Sequence, residues 1–274
     1  MSTISATAPA ARLRGRVTQL NVARSEWTKL RTLRSTRWSL LAAVVAMAGL
    51  GPLIAAVQMS RWSHLEPHER AVYDSINTGV SGYHLAQLAI GVLGVLVISG
   101  EYSTGMIRSS FMAVPRRLPV LWAKLAVFGA VTFVLMLVAT LVSFFAVQAI
   151  VRQHHVEHAL GDPNALRTVV GTALFLTVLG FLSVGLGAVV RNTAGGIALF
   201  VFLLFVLPGI AGILPASVAD KISPYLPLNA GTTIATSTFD SSHHLSPWGG
   251  FAAFCGYAAV AIVVAAIGLL RRDA

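Results

Sequence analysis

Six apolar runs, each of a length that can cross a lipid bilayer, constrain this chain more than any other feature: Trp38–Gln58, Tyr83–Ser99, Leu121–Val147, Thr168–Val190, Gly195–Leu214 and Trp248–Leu270. A helix rises about 1.5 Å per residue, so roughly 30 Å of hydrocarbon takes about 20 largely apolar residues. In lipid the backbone has to satisfy its own hydrogen bonds, which leaves helices or closed barrels. None of the runs alternates as a barrel strand does. The expected fold class is therefore an all-α integral membrane protein with six transmembrane helices. The second run is short unless it extends outward through Gly79–Gly82, and the third is long enough to tilt or project. Composition agrees, with 55% hydrophobic and only 11% charged residues, against about 25% charged in ordinary soluble domains. A soluble globular fold is excluded. No cleavable signal peptide is expected, because the first run starts only at Trp38, has spanning length and lacks a small-x-small exit.

The charges are lopsided, with Lys+Arg 20 against Asp+Glu 10. Assigned segment by segment, fifteen basic residues and three acids (Glu26, Glu101, Asp273) fall before the first run, after the second and fourth, and at the C-terminal end. The opposite loops carry five basic residues and seven acids. The positive-inside rule places the first set, and with it both termini, in the cytoplasm. The basic surplus is then a topology signal. A nucleic-acid arm is disfavoured because the basic residues abut a span. With Lys124 counted to the flank, the spans are expected to hold no Asp, Glu, Lys or Arg. That argues against an ion-coupled carrier, a voltage sensor or a membrane-embedded enzyme, which use charge inside the membrane. The single Cys255 cannot form an internal disulfide.

Residues 1–16 read as a disordered tail, 17–37 as an amphipathic interfacial helix, and 38–274 as the six-span domain. Leu20, Ala23, Trp27 and Leu30 recur at helical spacing among basic residues such as Lys29, the pattern of a helix lying in the headgroup layer. Arg34 interrupts the stripe, so the helix is expected to end near Leu30–Leu33. The same residues would also serve as a simple basic flank. In segment 100–118, Met106, Ile107, Phe111 and Val114 share roughly one helical face before Pro115 stops it. Such a helix suits a groove on a soluble partner, or else packs on its own bundle.

Gly91 and Gly94 in the second run, with Gly180, Ser183, Gly185 and Gly187 in the fourth, allow close helix approach. Pro208-Gly209 and Gly212 are expected to kink the fifth run. The outer loop 215–247, with Pro224 and Pro227, is partly apolar and is expected to re-enter the bilayer where protein or water covers its backbone. Spacing alone would let His154 and His158, or His64 and His68, share a metal ion. With no defined scaffold, solvated loop histidines are the expectation. No catalytic residue, bound cofactor or metal is assigned.

Three segments carry a resemblance: Ser-Glu-Trp-Thr-Lys-Leu-Arg-Thr at Ser25–Thr32, Glu-Tyr-Ser-Thr-Gly-Met-Ile-Arg at Glu101–Arg108, and Val-Pro-Arg-Arg through Ala-Lys at Val114–Lys124. In that order and spacing they resemble bacterial permease subunits of type-2 ABC exporters, over essentially the whole chain. The resemblance implies a connecting helix bearing Trp27, Lys29 and Leu30. It also implies a coupling helix that docks on a separate ATP-binding subunit, with Glu101, Gly105 and Arg108 shaping the loop. Met106, Ile107, Phe111 and Met112 would be its docking residues, and Pro208, Gly209, Pro224 and Pro227 would border an outer gate. A second permease subunit, identical or homologous, is implied too. A P-loop requires Gly before Lys, but Thr28, Ala123 and Asp220 precede the three lysines. ATP and magnesium are therefore expected in the partner. The function so implied is movement of an amphipathic cargo, drug-, lipid- or peptide-like, across the plasma membrane. The alternative is a non-transporting resistance or sensor subunit on the same fold.

Overall fold

A computed structural model of the chain describes residues 19–103, 117–238 and 245–271, and these contain helices and no strand. Helix α1 (Gln19–Thr32) precedes α2 (Arg34–Ser60). Two short helices, α3 (Pro67–Ala71) and α4 (Ser75–Val80), lead to α5 (Tyr83–Ser103). Then follow α6 (Arg117–Val151), α7 (Ala165–Val190), α8 (Thr193–Val201), α9 (Leu207–Ala211), α10 (Ala216–Ile222), α11 (Pro227–Thr232) and α12 (Pro247–Arg271). Among the described residues six segments are long and apolar enough to cross a membrane: Arg34–Ser60, Ser75–Tyr102, Leu118–His154, Ala165–Val190, Thr193–Ala211 and Pro247–Arg271. The second gains its length at its N-terminal end, through α4 and the turn at Ser81–Gly82.

Helix α7 is the axis of the bundle. Its most apolar stretch is 78% buried, against 22% for the span of α2 and for that of α8 and α9. It packs on α5, α6 and α12, and small residues set the approach. A Cβ on Gly94 of α5 would lie 2.8 Å from the Gly180 carbonyl oxygen and 2.8 Å from the Ser183 Cβ. Phe175 anchors the middle, with its ring 5.4 Å from that of Phe254 on α12 and edge-on to Tyr83 of α5 at 5.9 Å. Such aromatic packing at 4.5–7 Å adds about 0.5–1.5 kcal/mol to the burial itself. Helix α2, by contrast, leaves Leu41, Val45, Leu53 and Val57 exposed, a continuous apolar face suited to lipid.

Two ends are defined by polar contacts. At the α1 end, the Ser99 hydroxyl meets that of Thr193 at 2.9 Å, and Arg191 donates to the Gly268 carbonyl at 2.9 Å. Arg191 also stands over the Tyr102 ring, 5.2 Å from its centroid. At the opposite end Asp74 caps α4, accepting from the amides of Ile76 and Asn77 at 2.9 Å each. The Ser237 hydroxyl donates to the same carboxylate, and the Ser237 amide donates to Asn77 at 2.9 Å. Exposed tryptophans mark both levels: Trp27, Trp38 and Trp122 at the α1 end, Trp248 at the other. Their distribution matches the aromatic belts of membrane proteins.

The fifth span is irregular where its proline requires it. Pro208 has no N–H for the carbonyl four residues earlier. A π-helical turn over Phe202–Val206 precedes it, with the Leu207 amide reaching back to the Phe202 carbonyl. Of the residues expected to border an outer gate, Pro208 and Pro224 are half-buried, Gly209 is exposed and Pro227 is buried. Residues 226–235 tuck against α7 and α12, burying Leu226, Ala230, Ile234 and Ala235.

Candidate functional site

The α1 end holds four charged side chains in mutual contact. Within α1, Val22, Glu26 and Leu30 recur every four residues and are the helix's buried residues; residues four apart share a helix face. That face packs mainly on α6, leaving Leu20 and Trp27 exposed on another side. The expected stripe is thus divided, with Leu30 facing the protein and Trp27 facing outward. Helix α1 stops at Thr32. Leu33 is extended, at φ −70° and ψ 121°, and α2 begins at Arg34.

Through this docking Glu26 meets Lys124, at 2.6 Å from its Oε2, and Lys29, at 2.7 Å from its Oε1. Glu101, on the last turn of α5, presents Oε1 to Lys29 at 2.8 Å and to Lys124 at 2.9 Å. Two carboxylates and two ammoniums therefore alternate around a closed ring that ties α1, α5 and α6 together. The side chains of Glu26, Lys124 and Glu101 are only 4%, 4% and 7% exposed, while that of Lys29 keeps 27%. Burial by itself would lower the Lys29 ammonium, but hydrogen bonds from it to Glu101 and Glu26 and their negative charges outweigh burial, and its pKa stands above the ordinary lysine value. Excellent geometry is what allows ions to stay buried at all, since the desolvation cost of each is several kcal/mol.

This ring overturns the expectation that the spans hold no charge. Lys124 lies inside α6, and Glu101 is the continuation of α5 rather than part of a loop. Apolar counting assigned both to the flanks because neighbours across the bundle, which neutralise them, are invisible in a linear window. Glu26 was missed as a site residue altogether. Its signal was its place as the lone acid of a basic helix, four residues from Val22 and Leu30. Of the expected docking residues, Gly105, Met106, Ile107, Arg108, Phe111 and Met112 lie outside the described residues.

A cavity of about 200 Å³ adjoins the ring, its apolar wall formed by Leu30, Leu33, Leu96 and Val97 and its floor by the charged side chains. Ser35, Thr36 and Gly100 complete its lining.

The described histidines do not assemble as metal ligands. His155 adopts the left-handed conformation at φ 56°, which ends the helical turn at His154, so His154 and His158 share no helical face. His158 instead places Nδ1 2.8 Å from the Ser75 hydroxyl. Among the described residues no three His, Cys, Asp or Glu side chains converge as metal ligands; His243 and His244 lie outside them.

Six apolar helices around a small-residue core, with neutralised charges at one end, define a multi-pass α-helical membrane protein. The chain belongs to the ABC-2 family: the family model described as "ABC-2 family transporter protein" matches residues 23–209, from α1 into α9. It is thus the permease component of an ABC transporter, a class that carries transport rather than catalysis. Comparison with the curated proteins gives no match.

Proposed function

We propose that the chain is the membrane-spanning subunit of an exporter driven by ATP hydrolysis in a separate subunit, with a second permease copy or homologue beside it. Both termini face the cytoplasm of a bacterial plasma membrane. The observation that carries the reading is the Glu26–Lys124–Glu101–Lys29 ring. Helices α5 and α6 are the two that flank segment 104–116, which contains the docking residues Met106, Ile107, Phe111 and Met112. A push on that segment by a closing ATPase pair reaches the ends of both helices. The ring passes the displacement to α1, because moving α5 or α6 alone would leave a buried charge unbalanced, and moving α1 alone would break the Glu26–Lys124 and Lys29–Glu101 contacts. The buried 226–235 segment packs on α7 and α12, and α7 in turn packs along α5 and α6, so the motion has a route through α7 to an outer gate bordered by Pro208 and Pro227. Cargo of amphipathic character suits a bundle whose described interior charges neutralise one another.

Copurification tests this. The tagged chain, expressed with its neighbouring genes, is expected to bring an ATPase through detergent solubilisation. A Met106→Asp/Phe111→Asp variant is expected to reach the membrane at normal level without it. An ATPase retained by the double variant moves docking elsewhere, and its absence from the wild-type complex defeats the reading. ATP-dependent cargo uptake into inverted vesicles separates an exporter from a sensor subunit.

A further inference from the structure

We propose that the cavity at the corner between α1 and α2 is a binding site for the phosphate-bearing headgroup of an anionic membrane lipid. The cavity measures about 200 Å³, below the roughly 300–1,000 Å³ of pockets that enclose a drug-sized ligand. It fits a headgroup and leaves the acyl chains outside. Its walls are arranged accordingly: Leu30, Leu33, Leu96 and Val97 offer apolar contact, and Leu33 and Ser35 are exposed, which puts the opening at the protein surface. Trp38 follows immediately on α2, and Trp27 and Trp122 are exposed on the two adjoining helices. Those tryptophans set the corner at headgroup depth.

The polar groups at this level favour an anion. Helix α2 has 27 residues, and its N-terminus has neither an acidic residue in the first turn nor a side-chain cap. The first turn of such a helix presents free amides and the positive end of its dipole. Independently of the helix end, Thr36 is only 3% exposed, lines the cavity, and its hydroxyl has no hydrogen-bond partner among the described residues. A phosphate oxygen in the cavity would give that hydroxyl an acceptor. Charge points the same way. The four charges that line the cavity, Lys29 and Lys124 with Glu26 and Glu101, neutralise one another, and the exposed Arg31, Arg34 and Arg37 of the α1–α2 corner add to them. The excess is cationic, and such clusters beside a span attract anionic lipid. A headgroup bound here would span the hinge between α1 and α2 and hold α1 against the bundle.

Gly100 supplies a clean test. It lies on the cavity wall, and a Cβ at that position meets nothing within 4 Å, so Gly100→Leu fills the site with little clash. Leucine is also the better helix former. The full chain is purified in dodecyl maltoside, and its melting temperature is followed as phosphatidylglycerol, phosphatidylcholine or inorganic phosphate is added. Native mass spectrometry counts bound lipid. Phosphatidylglycerol is expected to raise the melting temperature saturably, while phosphatidylcholine and inorganic phosphate do not. Gly100→Leu should melt normally without added lipid and lose the phosphatidylglycerol response. Thr36→Val should weaken that response about tenfold, the loss of one hydrogen bond to a charged group, and Thr36→Ser should retain it. An unchanged response in Gly100→Leu and Thr36→Val overturns the site. A phosphatidylcholine response equal to that of phosphatidylglycerol overturns the charge selectivity, and inorganic phosphate acting alone overturns the lipid.

Discussion

Replacing Lys124 by methionine removes one ammonium from the four-membered ring and keeps the length of the side chain. In the wild type Lys124 lies 2.6 Å from Glu26 and 2.9 Å from Glu101, with a side chain 4% exposed. The variant leaves two buried carboxylates sharing Lys29, which reaches Glu26 Oε1 at 2.7 Å and Glu101 Oε1 at 2.8 Å. One negative charge is then unbalanced. Removing one member of a buried pair costs about 3–5 kcal/mol, several times the roughly 0–1 kcal/mol of an exposed pair. For a chain of this size that corresponds to a fall in melting temperature of the order of 10 °C. The assay is thermal unfolding in detergent of Lys124→Met, Glu101→Gln and the double variant. Glu101→Gln/Lys124→Met restores neutrality, since Glu26 then faces Lys29 alone, so the double variant should lose much less than the summed single effects. Single variants within about 0.5 kcal/mol of wild type, or strictly additive losses, would refute the claim that the ring acts as one buried unit.

Three further outcomes are expected. Asp74→Ala removes the acceptor for the Ile76 and Asn77 amides and for the Ser237 hydroxyl; losing such a cap costs about 0.5–2 kcal/mol, and limited proteolysis should open the 226–238 region before the spans. Gly94→Val drives a side chain onto the Gly180 carbonyl and Ser183, an overpacking worth about 1–3 kcal/mol in the melting assay, whereas Gly100→Ala should be neutral or stabilising. The alkaline limb of stability should report Lys29. Its folded pKa is raised, so its contribution is complete below the ordinary 10.5 and is lost as pH rises through the higher folded value; melting curves of Lys29→Arg should keep their stability further into that limb.

The spans were legible because membrane burial has a length requirement, and Thr168–Val190 reappears almost residue for residue in α7. Apolarity does not show which span lies at the centre. That followed from packing at Gly94, Gly180 and Ser183, where contact depends on the partner helix. The turn between α1 and α2 was foreshadowed by Arg34 falling on the apolar stripe. The candidate site was legible only in fragments. Lys29 and Glu101 stand out through their motifs, whereas Lys124 counts with a flank, and Glu26, though it lies in the first motif, gives no sign of its partners. Four residues from three helices make one electroneutral group, and neutrality of that kind is a property of the fold. The division of α1 into a Val22–Glu26–Leu30 face and an exposed Leu20–Trp27 side was obscured because both patterns repeat at helical spacing and only the position of α6 tells them apart.

The docking of α1 on α6 also fixes an order of events during synthesis. Glu26 leaves the ribosome almost a hundred residues before Lys124, and until then neither Glu101 nor α1 has its full complement of partners. The first two spans must therefore enter the bilayer with an acid waiting at the end of α5 and a helix lying unanchored beside α2. Arrival of α6 completes the ring and releases both at once. A nascent chain ending short of Lys124 should leave α1 open to protease, and one extending well past it should not.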